Sequence, residues 1–286
     1  MISTRTSAWF VGKRAVSSAA VALLALGATV GVAAPASAAA VRIHCPSAAC
    51  VQLGSGLGGY AAEVTDGAGS MYLTYGYGDL RKVNLTTGAA STVATGLGNL
   101  RGVAVDGANA YVVSYDGTIQ SVNLATGSHS TLASGLQPLF GVARHGSTTY
   151  ATDARGELIA VPDGGSARVV AGAVGFSEGI AFSASGAAYT ADMMSGNILE
   201  TDLGTGASQI LASQDYEPTS ITVGNDGLIY VLVAGEVMRV NPATGQQANV
   251  SDIDANIFSL SFTASGTAYA VDENGNLWRL AGVTGQ

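Results

Sequence analysis

The chain has 286 residues, of which 48% are hydrophobic and 11% charged, with 39 glycines, two cysteines and a formal net charge of −8. So acidic a chain, with only 12 basic residues, excludes binding to nucleic acid, whose phosphates demand clustered lysine and arginine, and to anionic membrane surfaces. Its length suffices for one large domain with a full core.

In chain order, residues 1–38 read as a secretory signal rather than as part of the fold. Arg5, Lys13 and Arg14 make a basic start, Ala15–Ala34 is an uncharged apolar run, and Ala36-Ser37-Ala38 offers a small-x-small cleavage pattern. Ala38-Ala39-Ala40 is an alternative site. A run of about 20 apolar residues can span a bilayer, but alanine and glycine make this one a weak membrane helix. Secretion is therefore expected, with no membrane attachment after cleavage and a mature net charge of −11 once the three basic residues are gone. Residues 39–49 form an N-terminal segment. Cys45 and Cys50, in HCPSAAC, are expected to close a small disulfide loop in an oxidising compartment. A redox or metal pair would need C-x-x-C spacing or further ligands, and only His44 is near.

From residue 50 to 286 the chain is organised by a repeat. A tyrosine opens the second strand of each unit, at Tyr72, Tyr111, Tyr150, Tyr189, Tyr230 and Tyr269. The first strands read AAEVT (61–65), GVAV (102–105), GVAR (141–144), GIAF (179–182), SITV (220–223) and SLSF (259–262). Third strands end in polar turns, Asn84…Gly88, Asn123…Gly127, Asp202…Gly206 and Asn241…Gly245, which supply a side-chain acceptor and a positive φ. Four short strands per unit of about 40 residues predict an all-β fold, a β-propeller with four antiparallel strands per blade. The sixth unit stops before a fourth strand can form. VQLGSGL (51–57) matches STVATGL (91–97) and STLASGL (130–136), so an N-terminal strand is expected to complete the last blade and close a six-bladed ring.

Channel-mouth positions follow from that fold. The residue before each first strand is Ala61, Arg101, Phe140, Glu178, Thr219 or Phe258; together they predict an amphipathic pocket with few convergent polar groups. The ends of the second strands carry Tyr75, Ser114, Asp153, Asp192, Val233 and Asp272. The three aspartates each precede a turn whose backbone N–H groups a carboxylate can accept, so they read as turn caps. Met193 and Met194 occupy a longer turn in blade four; with Tyr75, Tyr77 and Tyr115 they are expected on the rim of a binding face. His44, His129 and His145 all fall away from the channel ring, which excludes a Ser–His–Asp triad or a histidine metal site. No G-x-S-x-G occurs, and Asp272–Asn276 lacks the distal glutamate of an EF-hand loop.

The units GVAVDGANAYVVSYDGTIQSVNLATG and EGIAFSASGAAYTADMMSGNILETDLGTG resemble NHL-type repeats and the gluconolactonase (regucalcin)-like six-bladed propellers, as a secreted bacterial member. The resemblance implies a divalent metal held in the channel by Glu, Asn and Asp side chains. The matching positions here are Gly58–Ala61, without a carboxylate, Ser177-Glu178-Gly179, and Pro218-Thr219-Ser220, without an aspartate. With two of three ligands lost, no metal and no cofactor is expected. The strictosidine-synthase-like relatives imply a metal-free alternative, in which a channel glutamate does acid/base work; Glu178 would fill that role, with Arg101 as anion partner. The leading expectation is a monomeric, non-catalytic propeller binding a small molecule, glycan or protein at Arg101, Phe140, Glu178 and Phe258. A hydrolase, lyase or condensing enzyme using Glu178 is the alternative, and a rigid docking platform the third.

Overall fold

The computed structural model describes residues 43–45, 50–253, 257, 259–280 and 283. Two short strands come first, β1 (Ile43–Cys45) and β2 (Cys50–Gly54). Blade 1 follows as β3 (Tyr60–Thr65), β4 (Ser70–Tyr75), β5 (Leu80–Asn84) and β6 (Ala90–Ala94). Blade 2 is β7 (Leu100–Asp106), β8 (Asn109–Ser114), β9 (Ile119–Asn123) and β10 (His129–Ala133). Blade 3 is β11 (Leu139–His145), β12 (Thr148–Asp153), β13 (Leu158–Pro162) and β14 (Arg168–Ala171). Blade 4 is β15 (Ile180–Phe182), β16 (Ala188–Ala191), β17 (Asn197–Thr201) and β18 (Ser208–Ser213). Blade 5 is β19 (Pro218–Val223), β20 (Ile229–Val233), β21 (Glu236–Val240) and β22 (Gln247–Ile253). Blade 6 has β23 (Ser261–Phe262), β24 (Ala268–Val271) and β25 (Leu277–Leu280).

Each blade is an antiparallel meander, and β2 supplies the fourth strand of blade 6, as expected. It pairs antiparallel with β25 through Cys50↔Leu280, Val51↔Arg279 and Gln52↔Trp278. The sequence does not anticipate β1, which lies parallel on β22 with Ile43 opposite Ser251 and gives blade 5 a fifth strand. The N-terminal segment therefore pairs with two blades, 5 and 6.

The repeat residues have legible jobs. All six anchor tyrosines are buried, each in a hydrophobic cluster shared with a neighbouring blade. Tyr72 packs with Val103, Val112 and Val122 of blade 2, and Tyr269 with Met71, Leu73 and Val83 of blade 1. Burying an aromatic ring contributes about 1.5–3 kcal/mol, so the tyrosine holds blade to blade. In the outer turns, Asn84 Oδ1 accepts the backbone N–H groups of Thr86 and Thr87 at 2.9 Å, and Asp202 Oδ1 accepts those of Gly204 and Thr205 at 2.7 and 3.0 Å. The glycine that ends this turn serves two purposes. Gly127 has φ +72°, and a Cβ on it would lie 2.2 Å from the Val93 carbonyl oxygen of the preceding blade. Gly88, Gly206 and Gly245 stand in the same relation to Leu53, Val170 and Leu211.

Candidate functional site

The inner strands β3, β7, β11, β15, β19 and β23 surround a central channel of about 210 Å³. Backbone geometry explains which side chains ring its mouth. In four inner strands the pairing with the second strand slips near the start, between Tyr60 and Ala62, Leu100 and Gly102, Leu139 and Val142, and Pro218 and Ser220. Ala61, Arg101, Phe140 and Thr219 fall in these irregularities, and such a bulge re-aims a side chain out of the ladder. Gly102 lets blade 3 come close, since a Cβ there would sit 2.5 Å from the Phe140 carbonyl oxygen.

On blades 2 to 4 the mouth carries a continuous line of side chains. The Arg101 guanidinium lies 5.4 Å from the centroid of the Tyr115 ring. Tyr115 meets Phe140 edge-on at 5.9 Å, and Phe140 meets Phe176 at 4.5 Å. Phe140 forms the floor of this line at 8% exposure, while Tyr115 presents its ring to solvent at 45%. Arg101 is exposed and makes no ion pair among the described residues. Arg144, a channel-wall arginine on β11, is the contrast: its side chain is buried, paired to both oxygens of Asp163 at 2.9 and 3.1 Å, and stacked 4.3 Å from the Tyr111 centroid.

Glu178 sits at the mouth on a firmly held backbone. The Ser177 hydroxyl donates to the Gly179 carbonyl at 2.7 Å and accepts the Ala191 N–H at 3.1 Å. The Thr152 hydroxyl donates to the Ser177 carbonyl at 2.7 Å and accepts the Gly141 N–H at 2.9 Å. Glu178 reaches water through the mouth, yet the surrounding walls desolvate its carboxyl group and push its pKa up; the positive charge of Arg101 opposes that rise. No direct ion pair neutralises the two residues among those described.

The structure brings Arg101, Phe140, Glu178 and Tyr115 to one site; Phe258 lies outside the described residues. Tyr75 corrects its expected place on the rim. It is 1% exposed, its hydroxyl donates to the Leu57 carbonyl at 3.1 Å, and its ring packs beneath Tyr77 and Arg81. A tyrosine with its polar tip satisfied indoors is a wall residue. Met193 is half-buried and Met194 is 83% exposed, on a separate groove described below. The three aspartates cap turns as read: Asp153 accepts the N–H groups of Arg155 and Glu157, Asp272 those of Asn274 and Asn276. Asp192 accepts the N–H of Phe176 at 3.0 Å as well as that of Met194, so it also positions the aromatic line.

Sequence reasoning missed Phe176 and Glu63. Phe176 sits two residues before Glu178, outside the position compared across the repeats. Glu63 lies inside the quoted strand AAEVT, where it lines the channel wall buried at 6%. Among the described residues only the Val271 backbone reaches its carboxyl group, leaving neither oxygen well satisfied, and Ser261 Oγ on the same channel has no partner there. Among the described residues Glu63 and Glu178 are the only carboxylates lining the channel, and no three His, Cys, Asp or Glu side chains converge. The side chains present do not fit the three-ligand metal centre that the resemblance implies.

Solved structures with this architecture include a gluconolactonase from Xanthomonas campestris, with TM-score 0.70 and 15% identity over 81% of this chain and 89% of that one. The chain is a six-bladed β-propeller, the architecture these structures share. Virginiamycin B lyase from Staphylococcus aureus shares this propeller at TM-score 0.60 and 12% identity, over 81% of this chain and 98% of that one. A chain of a nidogen–laminin complex does so at TM-score 0.58 and 18% identity, over 70% and 79%. No family model and no curated protein matches the propeller's sequence. The likeness is one of fold, and fold does not carry function with it.

Proposed function

We propose that the protein is a secreted binding propeller whose channel mouth takes a small molecule carrying an anionic group and a planar apolar body. The observation that supports this best is the line from Arg101 over Tyr115 to Phe140 and Phe176. It begins at a cation that pairs with no carboxylate among the described residues and continues as aromatic surface, which is the arrangement an aromatic carboxylate complements. The bulges and the Ser177 and Asp192 hydrogen bonds hold these groups before any ligand arrives, so little ordering cost remains for binding. Secretion rests on the signal-like residues 1–38. A Cys45–Cys50 bridge belongs to the same proposal and agrees with the absence of a free cysteine among the described residues.

Screening aromatic carboxylates by thermal shift, then titrating the best binder, tests the reading. Arg101→Ala should weaken that binder about tenfold or more, the worth of a charge-assisted hydrogen bond. An unchanged affinity would remove the proposal's main support. A second reading, a hydrolase or lyase with Glu178 as acid/base, is favoured by that residue's raised pKa inside the mouth. Turnover of lactones and of the screened binders, lost in Glu178→Gln, would establish it. Absence of turnover, with affinity in Glu178→Gln kept within a few-fold, is the result the binding reading expects.

A further inference from the structure

A second concave surface lies between blades 4 and 5, beside the channel with which it shares Thr219, and an unusually short turn borders it. The turn joining the second and third strands has four or five residues in the other blades, but only Ala234-Gly235 in blade 5. Val233 pairs directly with Glu236 across it, and both turn residues have positive φ, +51° and +81°. That is the two-residue hairpin geometry that normally calls for Asn, Asp or Gly at its first position. Ala234 is the only non-glycine residue with positive φ among those described, and its Cβ makes that region unfavourable. Backbone strain of this kind concentrates at functional sites.

The blade-4 turn, the Gln214–Glu217 connection and Ala234 of the short turn together line a groove of about 540 Å³. Met193, Met194 and Tyr216 line the groove, the last two at 83% and 68% exposure. Asp215 and Glu217 flank the tyrosine, both exposed, and among the described residues no lysine or arginine lines the groove. Apolar thioethers, an accessible aromatic face and two carboxylates in one concavity match one chemistry: an organic cation on an apolar stem. The ring quadrupole and the carboxylates attract the charge, and the methionines adapt to the stem.

We propose that this groove binds an alkylammonium ligand, independently of the channel mouth. The test is titration of the mature protein with hexyltrimethylammonium, with hexanol as the uncharged control. Saturable binding is expected, weakening as salt is raised, and at least tenfold tighter than that of hexanol. Tyr216→Ala should weaken it about tenfold by removing the cation–aromatic contact, and Glu217→Gln a few-fold by removing one attracting charge. Arg101→Ala should leave it unchanged, which separates this site from the channel mouth. Three results would overturn the proposal: no saturable binding, equal affinity for hexanol, or affinity indifferent to both groove variants. A dimer abolished by Tyr216→Ala would likewise overturn it, by giving the groove to a second copy of the chain.

Discussion

At the scale of single residues the channel separates two glutamates by their surroundings. Glu178 stands at the open mouth near Arg101, whereas Glu63 is enclosed and its pKa is pushed well above the carboxylate range by desolvation, only partly offset by the Val271 backbone. Burial favours the neutral form of Glu63, so its contribution to stability is fullest below the unfolded carboxylate pKa and is lost as pH rises through the raised folded value. Asp272 runs the other way. Burial opposes its ionisation, but hydrogen bonds from Asn276, Trp278 and Asn274 outweigh that and hold its pKa low, so its contribution is lost as pH falls. Thermal melts of Glu63→Gln against the parent across pH check the distinction. The variant should gain on the parent steadily from acid to neutral pH, and a difference independent of pH would show that the fold does not shift the Glu63 pKa.

At the scale of elements, the turns decide how blades dock. Gly127→Ala must hold alanine at φ +72° and place a methyl group 2.2 Å from the Val93 carbonyl oxygen; it should destabilise by about 2 kcal/mol or more. Ala234→Gly should instead stabilise by roughly 1 kcal/mol, by relieving the left-handed conformation. Urea unfolding of both variants reads the two signs in one experiment. Most of this level was legible in the sequence. Tyrosine spacing marked the second strands, because a buried ring between blades must recur once per blade, and Asn/Asp…Gly marked the outer turns, because their hydrogen bonds are local. The site was legible only in part. Arg101, Phe140 and Glu178 emerged by comparing one position across repeats, whereas Phe176 joins Phe140 through contact between blades, and Tyr216 lies on a blade-to-blade connection, Gln214–Glu217, that departs from the pattern of TGL (95–97) and SGL (134–136).

At the scale of the molecule, the ring is closed by chain far from its partner in sequence. β2 completes blade 6 and β1 adds to blade 5, so the N-terminal segment engages the blades on both sides of their junction. The match between residues 51–57 and the other fourth strands made β2 legible. Ile43–Cys45 offered no comparable pattern, since three residues carry no periodicity. A chain beginning at Cys50 should therefore fold cooperatively with a modest loss of melting temperature. A chain beginning at Ser55 should lose its cooperative transition, because β25 then lacks its hydrogen-bonded partner and blade 6 its covalent tie to blade 1. Indistinguishable melts would show that closure does not depend on β2.

The ring matters to function because it alone brings Arg101 of blade 2, Phe140 of blade 3 and Glu178 of blade 4 to one opening. The most direct test is a crystal structure of the protein soaked with its best-binding aromatic carboxylate. The ring of the ligand should lie against Tyr115, Phe140 and Phe176, with its carboxylate on Arg101. A ligand seated elsewhere on the propeller, with Arg101 left in water, would contradict the account.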